Sequence, residues 1–155
     1  MIEITGDFWK ERRKYDAICV TTNGMLKNNG DAVMGAGIAL GFAKIFPELS
    51  KMLGKKLKEQ GNNVYYFLTK DTDGVICNII TFPTKNDWRD KSDMGLIRRS
   101  TEQLVAIANT EAFGLKSILL PRPGVSNGGL LWDDVRALIA PILDDRFTVI
   151  TQVWL

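Results

Sequence analysis

Residues 33–46, VMGAGIALGFAKIF, constrain the fold of this chain more than any other segment. An apolar run at residues 17–22 predicts a strand, and after a polar stretch a glycine-rich turn leads straight into an amphipathic helix. Unpaired backbone N–H groups and the helix dipole favour an anion at such a helix start, and glycines let the backbone approach it closely. The segment therefore predicts a site for a nucleotide or another phosphate-bearing ligand, with tight packing of the helix on a sheet as the alternative.

The remaining apolar patterns predict strands and helices in a mixed order. Strands are expected at residues 2–5, 16–22, 64–68, 75–81, 116–120 and 147–154. Helices are expected at residues 37–46, from Pro47 to just before Gly61, over roughly twenty residues from Ser92, and at residues 132–143. Because residues 69–74 form a tight turn, the third and fourth strands should pair as a hairpin. This order predicts one α/β domain, residues 1–155, that folds as a three-layer α/β/α sandwich around a mixed, mostly parallel sheet.

Composition narrows the chemistry that the chain can perform. The sequence contains no histidine, which excludes Ser-His and Cys-His nucleophilic pairs and histidine-ligated zinc. The two cysteines are too few for a structural zinc site, and their apolar surroundings favour free thiols over a disulfide. Catalysis must therefore use carboxylates, lysine, backbone dipoles or an activated water, and we expect no metal and no redox cofactor.

Charge and hydropathy indicate the setting in which the chain works. Apolar residues make up 45% of the chain and charged residues 25%, which is typical of a soluble globular protein. The net charge of +2 is too near neutral to favour a nucleic-acid-binding surface. The first residues read as a strand rather than a leader, and no apolar run reaches membrane-spanning length. A cytoplasmic monomer is the expectation.

A second glycine-rich loop, PRPGVSNGG at residues 121–129, is a second candidate anion-binding segment of the same kind. It follows a predicted strand and precedes a predicted helix. Since ligands of α/β sheets bind at the carboxyl ends of the strands, both loops can face one crevice. Two backbone cradles suit a diphosphate better than a monophosphate, while a long flexible connection is the alternative.

Two polar residues end predicted strands on the same side of the sheet. Asp7 follows the first strand, where its carboxylate can accept from an exocyclic amine such as that of adenine, or simply shape a turn. Asn23 ends the second strand, where it can donate to a sugar hydroxyl or serve as a turn residue.

The segment FPTKNDWR, after the fourth strand, carries a candidate catalytic residue, Lys85. Phe82, Pro83 and Trp88 could partly desolvate its amine and lower its pKa. A neutral lysine amine attacks carbonyl-type carbons, whereas a solvated surface charge is the alternative interpretation. Trp88 and Arg89 could cover a ligand or pair with a phosphate.

Taken together, these segments resemble a macrodomain, the ADP-ribose-binding module, over nearly the whole chain. The resemblance is nearest to the branch that holds the DNA ADP-ribosyl glycohydrolase antitoxins and the terminal ADP-ribose protein glycohydrolases. It rests on Gly6-Asp7, VTTNG, MGAGIALGFAKIFPEL, NIITFPTKNDWR and ILLPRPGVSNGGLLWDDV.

The resemblance implies a role for each matching residue. Asp7, followed by Phe8, matches the acid that reads the adenine amine. Asn23 matches a position close to the distal ribose and is the second candidate catalytic residue beside Lys85. Lys85 matches the catalytic lysine, which engages the anomeric carbon of that ribose. The implied diphosphate-binding residues are Met34, Gly35, Ala36, Gly37, Ile38, Pro123, Gly124, Val125, Ser126, Asn127, Gly128 and Gly129.

The chain departs from the family pattern at three places. The stretch between Asn23 and Met34 is longer, and Ser126 replaces a loop glycine. A glycine stands in the second loop where the protein-directed glycohydrolases carry an acid. The resemblance implies a protein that binds ADP-ribose and removes it from modified DNA or protein. The alternatives are a binding module without turnover, a phosphatase for ADP-ribose 1″-phosphate, and a generic nucleotide-binding α/β protein.

Overall fold

The computed structural model describes residues 1–153, so Trp154, the predicted end of the last strand, lies outside the described residues. The strands are β1 (Ile2–Gly6), β2 (Ala17–Thr22), β3 (Tyr65–Lys70), β4 (Ile76–Pro83), β5 (Ile118–Pro121) and β6 (Phe147–Gln152). The α-helices are α1 (Phe8–Glu11), α2 (Gly37–Ile45), α3 (Leu49–Gln60), α4 (Met94–Ala108) and α5 (Trp132–Ile139). Short 3₁₀ helices cover Arg12–Lys14, Glu111–Phe113 and Ser126–Gly128.

The six strands form one sheet in the order β1-β6-β5-β2-β4-β3. Every neighbouring pair is parallel except β3 and β4, which pair antiparallel as the predicted hairpin. The prediction of a mixed, mostly parallel sheet is therefore confirmed. Because the carboxyl ends of β2, β4, β5 and β6 all lie at one edge, the loops that follow these strands meet there.

Alternating side chains of the strands bury one helix layer on each face of the sheet. In β2, Ile18 and Val20 pack with residues of α1, α2 and α3, such as Phe42 and Leu53. Cys19 points to the opposite face and packs with residues of α4 and α5. These two apolar clusters on opposite faces give the predicted three layers.

Several boundaries differ from the sequence-based expectation. Helix α4 begins at Met94, because Asp93 rather than Ser92 caps it by accepting hydrogen bonds from two backbone N–H groups, and it has 15 residues. Helix α5 ends at Ile139, earlier than predicted, since the chain turns before Pro141. The short helix α1 was not predicted; Asp7 is its N-cap.

The long loop between Asn23 and Met34 packs against α3 and so fixes the start of α2. The Ala32 N–H donates to the Ser50 carbonyl at 2.8 Å. A Cβ on Gly54 of α3 would lie only 2.1 Å from the Gly30 carbonyl oxygen. The close approach therefore depends on glycine in the middle of this helix.

Both cysteines are free, and Cys19 is fully buried while Cys77 is partly exposed. Burial raises the pKa of the Cys19 thiol far above its ordinary value. Among residues 1–153, no helix combines the length and apolar character that crossing a bilayer requires.

Candidate functional site

A cavity of about 630 Å³ opens at the carboxyl ends of the parallel strands. Its walls are the ends of β2, β5 and β6, the residues after β4, and both glycine-rich loops. We call residues 34–37 the first glycine loop, residues 121–129 the second glycine loop, and residues 82–89 the lysine segment. The topology therefore brings together the segments that the sequence singled out.

The first glycine loop presents free backbone donors to the cavity. Of its predicted ligand-binding residues, Gly35, Ala36 and Gly37 line the cavity together with Ile38, the second residue of α2. Ala36 is the N-cap of α2, and no side chain caps the helix. Its first N–H groups are thus left for a ligand. Met34 instead lies in the core beneath the loop, at 4% exposure.

The second glycine loop faces the first across the cavity. Its lining residues are Pro121, Arg122, Gly124, Val125, Ser126, Asn127 and Gly128, whereas Pro123 is buried and Gly129 does not line the cavity. Ser126 has φ 66°, the one positive φ among the non-glycine residues that the structure describes. A left-handed backbone costs an L-residue roughly 1–2 kcal/mol, and such strain concentrates in functional loops.

Lys85 joins the lysine segment to the second glycine loop at the cavity wall. Its Nζ donates to the carbonyl oxygens of Trp88 at 3.3 Å, Asp90 at 3.2 Å and Asn127 at 3.5 Å. The three donors of the ammonium are thereby matched by three acceptors. The amine group is held where the lysine segment meets the second glycine loop.

An asparagine from outside the cavity fixes the backbone of Lys85. The Asn62 Nδ2 donates to the Lys85 carbonyl at 3.1 Å and to the Asn86 Oδ1 at 2.8 Å. The Gly24 N–H in turn donates to the Asn86 carbonyl at 2.9 Å. The lysine segment is therefore hydrogen-bonded both to the residues after α3 and to the residues after β2.

Trp88 lines the cavity, and Arg89 lies beside it with its guanidinium over the Trp88 ring. The Trp88 side chain is 53% exposed and lines the cavity. Arg89 does not point at the cavity centre, since its Nη2 donates to the Asp87 carboxylate at 2.6 Å. Hydrogen bonds from the Arg89 side chain and backbone lower the pKa of Asp87 to about 2. A phosphate would have to compete with this carboxylate for Arg89.

Asn23 lines the cavity but also braces the loop that follows it. Its Nδ2 donates to the Val33 carbonyl at 3.1 Å, and its Oδ1 accepts from the Met25 N–H at 2.9 Å. One amide hydrogen is left for a ligand in the cavity.

Asp7 and Phe8 are placed differently from the other predicted residues. Neither lines the cavity, but both hydrogen-bond to the side chain of Gln152, which does. Asp7 caps α1 by accepting from the Trp9 N–H at 3.0 Å, and the Phe8 ring is fully buried in the core.

This arrangement has a counterpart among solved structures. The macrodomain of Mycobacterium tuberculosis DarG superposes with a TM-score of 0.76 at 31% identity, covering 97% of each chain. The chain belongs to the macrodomain family. Its place is in the DarG branch, as the sequence resemblance predicted.

Curated relatives of this macrodomain carry one activity in their names. A Mycobacterium tuberculosis protein named DNA ADP-ribosyl glycohydrolase is 36% identical over 106 residues, which cover 66% of this chain and 29% of that protein. A Thermus aquaticus protein of the same name is 31% identical over 129 residues, 81% of this chain and 34% of that protein. The macrodomain thus spans about a third of the length of these relatives. No protein-family model matches the chain.

The macrodomain also has cavity residues that sequence reasoning missed. Arg122 lines the cavity and stacks its guanidinium over Trp132, 4.6 Å from the ring centroid. Ser92 lines it with a buried Oγ that has no hydrogen-bond partner, and Gln152 lines it as well. Arg122 directly follows β5 and Gln152 ends β6. Their positions at strand ends were the sequence signal for a cavity residue, but this signal places them at the cavity only once the strand order is known.

Proposed function

We propose that this macrodomain binds ADP-ribose in the cavity and hydrolyses it from modified DNA, with Lys85 acting at the distal ribose. The observation that carries the proposal is the Lys85 ammonium, held at the cavity wall by the carbonyl oxygens of Trp88, Asp90 and Asn127. DNA is the preferred acceptor because the curated relatives are named DNA ADP-ribosyl glycohydrolase.

The glycine loops are suited to the diphosphate of such a ligand. The uncapped start of α2 offers backbone N–H donors and the positive end of a helix dipole. The second glycine loop supplies the facing wall, where Gly124 and Gly128 let the loop pack closely on Ser92 and Ile97. Preorganised backbone donors hold charge without reorganising during the reaction. The diphosphate would thereby fix the distal ribose beside Lys85.

The proposed reaction breaks the bond between the anomeric carbon and the DNA acceptor. Water supplies the oxygen that ends on the anomeric carbon, and the acceptor leaves with a proton. None of the cavity-lining residues within the described chain is acidic. Lys85 is therefore the residue that we expect to act at this carbon, with Asn23 offering its remaining amide hydrogen to the ribose.

Two measurements on the wild-type protein test the proposal. Calorimetric titration should give saturable binding of ADP-ribose, and a hydrolysis panel in the same buffer should give release from ADP-ribosylated DNA. The panel also contains ADP-ribosylated protein and ADP-ribose 1″-phosphate, so that a protein-directed activity or a phosphatase would be recognised. A lack of ADP-ribose binding would refute the proposal at its first step.

A binding module without turnover is the second candidate. It is favoured by the lack of an acidic residue among the described cavity-lining residues, and by the engagement of all three Lys85 donors. It predicts calorimetric binding of ADP-ribose and no hydrolysis of any conjugate in the panel.

We also infer that residues 1–155 act as one domain and as a monomer in the cytoplasm. The two free thiols favour a reducing compartment. A net charge of +2 argues against an extended nucleic-acid-binding surface, so that DNA would be recognised chiefly through its ADP-ribose group. Size-exclusion chromatography with light scattering tests the monomer.

A further inference from the structure

Gln152 ends β6 and lines the cavity. The Oε1 accepts a hydrogen bond from the Phe8 N–H at 2.8 Å, and the Nε2 donates to the Asp7 Oδ1 at 3.2 Å. The second amide hydrogen goes to the Val153 carbonyl at 3.2 Å. One side chain therefore hydrogen-bonds to both the Phe8 N–H and one carboxylate oxygen of Asp7, an oxygen that also accepts from the Trp9 N–H.

The chemistry of this pair fixes what can replace Gln152. The ionised Asp7 carboxylate only accepts hydrogen bonds, and the Phe8 N–H only donates. A replacement must carry a donor and an acceptor side by side in that order. The 6-amino group of adenine and the adjacent ring nitrogen have this pattern, as a primary amide does. Hypoxanthine and guanine carry a keto oxygen next to an N–H on the same edge, which reverses the order.

We propose that Gln152 is a specificity-determining residue whose side-chain amide mimics the hydrogen-bonding edge of adenine. When an adenine base binds, it displaces the Gln152 side chain and forms the same two hydrogen bonds with Asp7 and Phe8. The proposal rests on the proposed function, since it concerns how the same cavity receives ADP-ribose. It also accounts for the cavity being lined by Gln152 and not by Asp7 and Phe8, to which Gln152 hydrogen-bonds. A base without the adenine pattern would displace Gln152 and leave Asp7 or Phe8 unpaired, which disfavours its binding.

The Gln152 side chain competes with adenine for these hydrogen bonds, so its removal should strengthen the binding of adenine-bearing ligands. Calorimetry with Gln152→Ala should give ADP-ribose and AMP affinities higher by a few-fold, up to roughly tenfold, because ligand no longer has to break two hydrogen bonds. Gln152→Glu keeps the side-chain length but cannot donate to Asp7, and should give a gain in the same direction. The affinity for ribose 5-phosphate, which has no base, should stay unchanged in both variants.

Gln103→Ala is the matched control. The Gln103 Oε1 accepts from the Val64 N–H at 2.9 Å and its Nε2 donates to the Asn63 Oδ1 at 3.0 Å, away from the cavity. Gln103→Ala therefore removes an equivalent pair of hydrogen bonds and should leave ADP-ribose affinity at the wild-type value.

A second measurement follows Gln152 directly. In ¹⁵N-labelled wild-type protein, the Gln152 side-chain amide signals should shift and lose protection from exchange on adding AMP, and stay in place on adding ribose 5-phosphate. ADP-ribose binding that Gln152→Ala leaves unchanged or weakens, with an unmoved amide signal, would overturn this inference alone. No binding of ADP-ribose to either wild type or Gln152→Ala would overturn the proposed function as well.

Discussion

Gly124→Ala tests whether the second glycine loop packs on α4 in the way that the cavity requires. Gly124 has φ +78°, and a Cβ there would lie 2.6 Å from the Ile97 Cδ1 and 3.0 Å from the Leu130 Cδ1. Ile97 is fully buried, so it has little room to move away. The substitution therefore combines backbone strain with overpacking of the core.

The expected loss of stability follows from three contributions. The left-handed backbone costs alanine about 1–2 kcal/mol. Overpacking a buried position typically costs about 1–3 kcal/mol, and the restricted unfolded chain of alanine returns about 0.4–1 kcal/mol. The free energy of unfolding should therefore fall by about 1–4.6 kcal/mol.

Gly114→Ala separates the two causes. Gly114 has φ +62°, but a Cβ there meets nothing within 4 Å. Its cost should be strain alone, about 0–1.6 kcal/mol after the unfolded-state gain, which lacks the overpacking cost expected at Gly124. Urea unfolding at an unchanged slope gives both values. Equal costs for the two variants would refute the packing of the second glycine loop against α4.

Three further predictions concern other parts of the structure. Asn62→Ala should lower turnover roughly tenfold or more, because it releases the backbone of Lys85, while the ADP-ribose affinity changes little. Asn63→Ala, which removes hydrogen bonds away from Lys85, is the control and should leave turnover intact. Ser126→Gly should raise the free energy of unfolding by about 0.5–1 kcal/mol in urea, since relief of the left-handed strain outweighs the entropy of glycine. Hydrogen bonds from the backbone N–H of Val75, and then charges of nearby arginines, lower the pKa of Asp71. The stability that Asp71 supplies is complete above pH about 4 and is lost as the pH falls through this lowered pKa. Asp71→Asn should therefore show a shallower fall in the free energy of unfolding below pH about 4. A dependence of that free energy on pH equal to the wild type would count against this role of Asp71.

Local patterns were enough to predict the layers of the fold and several of the segments that meet at the cavity. The strand–glycine–helix pattern at residues 33–46 predicted α2 and the first glycine loop. The hairpin of β3 and β4 followed from two apolar runs and a polar turn. These features depend on neighbours in sequence, where periodicity and turn chemistry act.

Features that depend on strand order could not be read in this way. Gln152 meets Asp7 and Phe8 because β1 pairs with β6 from the far end of the chain. Arg122 enters the cavity because β5 lies between β6 and β2. The four-residue α1 is too short for a periodic signal, so the capping role of Asp7 was not distinguished from a simple turn.

Release of ADP-ribose from an ADP-ribosylated single-stranded oligonucleotide, under single-turnover conditions, tests the central claim most directly. The wild type should release ADP-ribose, and Lys85→Ala should be slower by at least about a hundredfold. Lys85→Arg, which keeps the charge but cannot act as an amine, should be similarly slow while still binding ADP-ribose. Lys70→Ala, at an exposed position on the edge strand β3, should match the wild type. Release by Lys85→Ala at the wild-type rate would contradict the account.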